Sequence, residues 1–186
     1  MKERKYKEDY GFETYFDDKG REKRRAVYKG DYFALDAGDR KAKAAPFIPF
    51  ALCAAFYLIY MKLNTHSGRC MYVLPLAACA LIPLVYWAMG LVSSLRAPEK
   101  MTRLQMETGP GRILRSSVGA GVFLAMAAVG DVIFVLTSPT ARQNGEIIGL
   151  CLLAAAAASA LGGFTRARSA YNRIKKTDAP RKEARK

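Results

Sequence analysis

The sequence predicts an all-α integral membrane protein: a four-transmembrane-helix bundle with a small cytoplasmic N-terminal segment resembling a β-hairpin. Two observations predict it. Hydrophobic residues make up 51% of the 186, and they are gathered into four blocks with the charges between them. A run of about 18 or more apolar residues is long enough to cross a hydrocarbon core of roughly 30 Å as a helix. The second observation is the placement of the basic residues. Of the 30 Lys and Arg, 27 fall before the first block, between the second and third, and after the fourth; the other two links hold 3. That alternation is the positive-inside pattern, and it assigns both termini and the middle loop to the cytoplasm. It also accounts for the net charge of +14 without nucleic acid as a partner.

The N-terminal segment, residues 1–43, reads as two short strands, about 12–17 and 21–28, around a turn at Asp17-Asp18-Lys19-Gly20. It is too long and too charged for a signal peptide, and Ile59-Tyr60-Met61-Lys62 makes a poor cleavage site, so the first span is expected to stay in the protein. Eight of the 20 aromatic residues lie in its first 33 positions. Tyr15, Phe16, Arg24, Arg25, Tyr28 and Tyr32 are candidate docking residues, since aromatics and arginine dominate interaction hot spots. The competing reading is that these aromatics form the hairpin's own small core and its seat on the lipid headgroups.

The spans are expected at 44–63, 71–95, 113–137 and 146–165, within a membrane domain of residues 44–165. Pro75 and Pro83 are expected to kink the second span, with Tyr86 and Trp87 in an interfacial aromatic belt. In the middle loop, Pro98 and Gly109-Pro110-Gly111 bracket a short helix, with Glu99 and Arg103 spaced as an i,i+4 pair. The basic tail, 166–186, is polar and is expected to fray after Lys176.

Asp131 stands alone as a carboxylate within the apolar run Met126–Leu136. At 100° per residue it shares a stripe with Ser117, Gly121, Leu124 and Ala128, while Val122, Met126 and Ile133 face the opposite way. The fourth span carries a matching stripe of Gly145, Gly149, Ala156, Ser159 and Gly163. Lipid supplies no hydrophobic drive between helices, so close approach through small residues is the expected packing mode of spans three and four. A carboxylate inside a membrane is costly and a functional suspect by default. Three roles are open to Asp131: a hydrogen bond fixing helix register, a proton or cation path, or pairing with a basic residue of another subunit. Tyr57, Tyr60 and Tyr72 are candidate hydroxyl partners; no base of the chain is expected at the same depth, and Lys62, at the outer end of the first span, comes closest.

Metal chemistry finds little support. Cys53, Cys70, Cys79 and Cys151 have no CxxC spacing, and His66 with Cys70 gives only two ligands. No cofactor is expected. No nucleophile, base and charge stabiliser converge in the pattern, so an enzyme is not expected either. The expectation is a non-enzymatic multi-pass protein of a plasma membrane of the bacterial inner-membrane type, acting as an accessory, scaffold or assembly subunit. A small oligomeric transporter or channel is the alternative, and a binder of anionic lipids a third reading. The partners expected are the lipid bilayer and a membrane protein or a second copy.

Overall fold

The computed structural model describes residues 9–16, 21–34, 44–63, 65–138 and 144–177. The chain is mostly helical. Strands β1 (Tyr10–Phe16), β2 (Glu22–Tyr28) and β3 (Tyr32–Ala34) come first, followed by α1 (Phe47–Lys62) and a 3₁₀ turn at Ser67–Arg69. The second block gives α2 (Leu74–Cys79) and α3 (Leu81–Arg96). Strand β4 (Lys100–Thr102), α4 (Arg103–Thr108), α5 (Pro110–Thr137), α6 (Asn144–Asn172) and β5 (Lys175–Thr177) complete the order. The turn expected at Asp17–Gly20 lies outside the described residues.

Three helical stretches are long and apolar enough to cross a membrane: Leu74–Arg96, Arg103–Thr137 and Gly145–Asn172. The first block departs from the expected span. Its helix has 16 residues and opens only at Phe47, with Pro46 as its cap. At 1.5 Å per residue that is about 24 Å, short of a full hydrocarbon core. Proline is tolerated in a first turn, where its missing N–H would have no partner, so Pro46 and Pro49 set this late start.

The prolines of the second block also act as starters. Pro75 lies in the opening turn of α2, and Pro83 in the opening turn of α3, just after the break at Ala80. The Tyr57 hydroxyl donates to the Ala77 carbonyl at 2.9 Å, satisfying a main-chain acceptor beside that break.

Helix α5 packs along both α6 and α3, and α1 lies against α6. The buried positions are largely small: Ala77, Ala80, Ala120, Ala127, Ala156, Ala157, Ala160 and Ala167 line the core, with Leu84, Leu91, Leu124 and Leu153 between them. The outside carries many large apolar side chains, including Ile82, Val85, Val122, Met126, Val129, Ile133, Ile148 and Leu161. Trp87 departs from the expected interfacial belt. It is fully buried, edge-on to Phe50 at 5.4 Å between centroids, while Tyr86 is exposed. A Cβ at Gly163 would overlap the Trp87 ring, so the indole occupies the space glycine leaves open.

The basic segments meet at one end of the bundle. Strand β3 lies between β4 and β5, antiparallel to both, with Phe33 opposite Met101 on one side and Lys176 on the other. The N-terminal segment, the middle loop and the tail therefore share one small sheet. Helix α6 continues to Asn172, past the expected end of its span at 165, and this extension delivers β5 to the sheet. In the middle loop the short helix starts at Arg103. Thr102 Oγ1 accepts from the Gln105 N–H at 3.4 Å and Gln105 Oε1 from the Thr102 N–H at 3.0 Å, a reciprocal N-terminal cap. The i,i+4 pair there is Arg103 with Glu107 at 3.8 Å, and Glu99 precedes β4 instead of opening a helix.

Candidate functional site

At the end of the bundle away from the sheet, three elements bury a group of oxygens. Helix α5 supplies Asp131 and the first turn of α6 supplies Glu146; the end of α1 and the turn after it bring Tyr60, Thr65 and Ser67. Asp131 and Ser67 are 0% exposed and Glu146 is 2% exposed. Glycines make room for them. A Cβ at Gly149 would come within 3.2 Å of Thr65 Cγ2 and 3.6 Å of the Tyr60 ring, and one at Gly130 within 3.2 Å of Val73.

Glu146 is fully engaged. Its Oε1 accepts from the His66 N–H at 2.6 Å and its Oε2 from the Ser67 N–H at 3.3 Å, clipping the turn of residues 65–70 onto the start of α6. An acid here also faces the positive end of the α6 dipole. Thr65 Oγ1 accepts from the Gly68 N–H at 3.1 Å and closes the same turn. Asp131 is in the opposite condition. Among the described residues neither of its oxygens makes a well-formed hydrogen bond, and the same holds for the hydroxyls of Tyr60 and Ser67. The Ser67 hydroxyl nonetheless lies within reach of the Asp131 carboxyl and, with Thr65, of the Tyr60 hydroxyl, and the charges of Asp131 and Glu146 act across the same space. These oxygens thus form one electrostatic cluster. Lys62 and Arg69, the bases of this end among the described residues, are exposed.

No family model, curated protein or solved structure matches this chain. The geometry therefore carries the functional reading alone.

Of the residues singled out in the sequence, Ser117, Gly121, Leu124 and Asp131 are buried and Ala128 is half-buried. Gly121 meets Ala160 and Leu161 of α6. In α6, Gly149, Ala156 and Gly163 are buried and Ser159 is half-buried. Gly145 has nothing within 4 Å of where a Cβ would stand, so it is no part of the contact. Ser116 and Ser117 donate to carbonyls of their own helix, at Arg112 and Leu114, and do not bridge helices. For a register-fixing hydrogen bond at Asp131 the Ser67 hydroxyl is within reach, but no well-formed bond is made among the described residues. Of the three tyrosines, Tyr57 is committed to Ala77, Tyr72 is largely exposed, and Tyr60 alone is buried beside Asp131. Glu146 was legible only as an acid in a first helical turn. Its reach back to His66 and Ser67 spans about 80 positions and leaves no local sequence signal.

Five of the six candidate docking residues divide between two faces of the hairpin, and Tyr32 lies in β3 of the other sheet. Register pairs Phe12 with Ala26, Thr14 with Arg24 and Phe16 with Glu22 on one face, and Glu13 with Arg25 and Tyr15 with Lys23 on the other. Phe16, Arg24 and Tyr28 therefore share a face from which Tyr15 and Arg25 are excluded. Phe12 and Phe16 are 76% and 73% exposed. Tyr28 is the anchor to the bundle. Its hydroxyl donates to the Asp31 carbonyl at 3.0 Å and accepts from the Arg103 N–H at 3.1 Å, and its ring stands edge-on to Tyr10 and Tyr32. Burial pushes the Tyr28 phenol above its ordinary value, and the Arg103 bond opposes that shift.

Proposed function

We propose that this chain is a non-enzymatic integral membrane protein that works as an accessory or assembly subunit, docking a partner through the β1–β2 hairpin. Membrane insertion, with all four helices contributing to the embedded bundle and the sheet end in the cytoplasm, is supported by the inverted distribution of side-chain size. Many large aliphatic residues face outward while alanines fill much of the interior between a few leucines, an arrangement suited to lipid and unsuited to water. The observation that carries the docking role is the pair Phe12 and Phe16, displayed almost fully exposed on one face of a two-stranded sheet. A lone hairpin is marginal in water, and exposed aromatic pairs of this kind gain most by being covered.

The test is affinity purification from native membranes in mild detergent, comparing wild type with the Phe12→Ser, Phe16→Ser double variant. The expected result is loss of co-purifying protein at unchanged membrane yield. An identical set of partners would overturn the docking role.

A second reading, a small oligomeric transporter or channel, is favoured by one feature: Asp131 and Glu146 are buried together at the end of the bundle opposite the sheet. A third, anionic-lipid binding, is favoured by a groove between α3, α4 and α5. Arg112 and Arg115 line its rim and Ile82, Pro83 and Phe123 its apolar wall.

A further inference from the structure

We propose that Asp131, Ser67 and Tyr60 form an occluded binding site for one monovalent hard cation of sodium size, with Glu146 holding the loop that closes it. Four oxygens carry the proposal: both of Asp131 and the hydroxyls of Tyr60 and Ser67. Each is buried and none makes a well-formed hydrogen bond among the described residues, although the Ser67 hydroxyl lies within reach of both Asp131 and Tyr60. Buried polar groups are almost always satisfied, and those that are not ask for an ion or a water. Four such atoms in one electrostatic cluster, one of them able to carry a full charge, are a stronger case than a scattered set. A carboxylate without a counter-charge in such a place is costly, and no Lys or Arg among the described residues bonds to this one.

The donor set selects the ion. All the ligand atoms are oxygens, which suits alkali and alkaline-earth ions and not soft metals. No group of three His, Cys, Asp or Glu able to hold a metal is present among the described residues. Calcium takes six to eight oxygens, commonly with several carboxylates. Here only Asp131 has both carboxylate oxygens clear of main-chain donors, since each oxygen of Glu146 accepts from an N–H group, of His66 or Ser67. One carboxylate in direct reach and a few neutral oxygens match a monovalent ion, and the charge that Glu146 keeps adds to the attraction. The 3₁₀ turn at Ser67–Arg69 is the closing element, because it carries a ligand, Ser67, and is tied to α6 by Glu146.

The inference is independent of the hairpin's role. It is tested on the full chain purified in detergent, by equilibrium binding of radiosodium and by thermal unfolding in sodium chloride against choline chloride at equal ionic strength. Saturable sodium binding is expected, with a midpoint that rises with sodium and not with choline. Asp131→Asn should abolish the binding and the sodium-dependent shift, while unfolding in choline no earlier than wild type. Tyr60→Phe and Ser67→Ala should each weaken sodium binding by roughly tenfold or more, the scale on which supporting ligands act. These two keep the test decisive if the Asp131 variant fails to fold. Absence of saturable sodium binding by wild type would overturn the proposal and leave a protonated or hydrated carboxyl. A midpoint raised by calcium and indifferent to sodium would overturn the choice of a monovalent ion.

Discussion

The two ends of the bundle treat polar groups in opposite ways. At the sheet end, β3, β4 and β5 pair their main chains, Thr102 and Gln105 cap each other, and the Lys176–Asp31 contact at 2.7 Å is open to solvent. A broken contact there is replaced by water at small cost. At the opposite end, four of the six buried side-chain atoms found without a partner among the described residues lie around Asp131. They are buried from bulk solvent, so a bond left unmet there costs far more than at the open end. The lesson is that charge density is a poor guide to electrostatic consequence. The end rich in Lys and Arg is forgiving, and the end with two carboxylates is not.

The sharpest way to break the comparison is to put both ends on one side of the membrane. Starting from a protein with its four cysteines replaced, cysteine introduced at Met71, which is 90% exposed, should label from outside intact cells. Cysteine at Glu99, beside the sheet, should label only after permeabilisation. Labelling at both positions in intact cells would contradict the opposed ends.

The next largest effect is expected at Glu146. Glu146→Ala strands two main-chain donors, of His66 and Ser67, one of them fully buried, and should cost about 2–4 kcal/mol in reversible unfolding. Glu146→Gln keeps an acceptor and should lose roughly half as much. Equal, small losses for both would mean that the turn stands without its clip.

A smaller effect separates two adjacent glycines toward the sheet end. Gly163→Ala forces a methyl group into the Trp87 ring and should destabilise by about 1–3 kcal/mol. Gly162→Ala meets nothing within 4 Å and should be neutral or stabilising by up to about 1 kcal/mol. The difference in thermal midpoint between the two variants reports whether the helices cross as closely as described.

The smallest effect belongs to the anchor of the hairpin. Tyr28→Phe removes two partly exposed hydrogen bonds and should cost about 0.5–1.5 kcal/mol, read as faster amide exchange in β1 and β2. A pH dependence accompanies it. The folded phenol lies above its ordinary 10.0, so its contribution is complete below pH 10 and is lost as pH rises through the folded value. Exchange that accelerates above pH 10 equally in wild type and Tyr28→Phe, after correction for intrinsic rates, would remove Tyr28 from this role.

What could be read in the sequence was set by periodicity and composition. The three long apolar stretches, the hairpin and the buried line through Ser117, Gly121 and Asp131 all follow from local spacing. What could not be read depends on contacts across the chain. Trp87 looks interfacial by type, and only the opposing Gly163 shows that there is room to bury it. Pro46 and Pro49 shorten α1 through main-chain rules that hydropathy ignores. The partnership of Glu146 with the turn at Ser67 joins two loops whose sequences say nothing of each other. Strand β3 pairs with two neighbours that lie far downstream, which no local pattern announces.

That last pairing has a consequence for synthesis. Strand β3 leaves the ribosome early, yet its partners β4 and β5 begin only at Lys100 and Lys175. At roughly 5–20 residues per second, the second partner arrives on the order of ten to thirty seconds later. During that interval β3 has an open edge, and every helix between it and Lys175 must already be made. Closure of the small sheet therefore marks the moment at which the bundle has been translated in full. A chain released just before Lys175 would carry the same helices with one edge of β3 still open, and an open strand edge is the kind of feature that chaperones and proteases recognise.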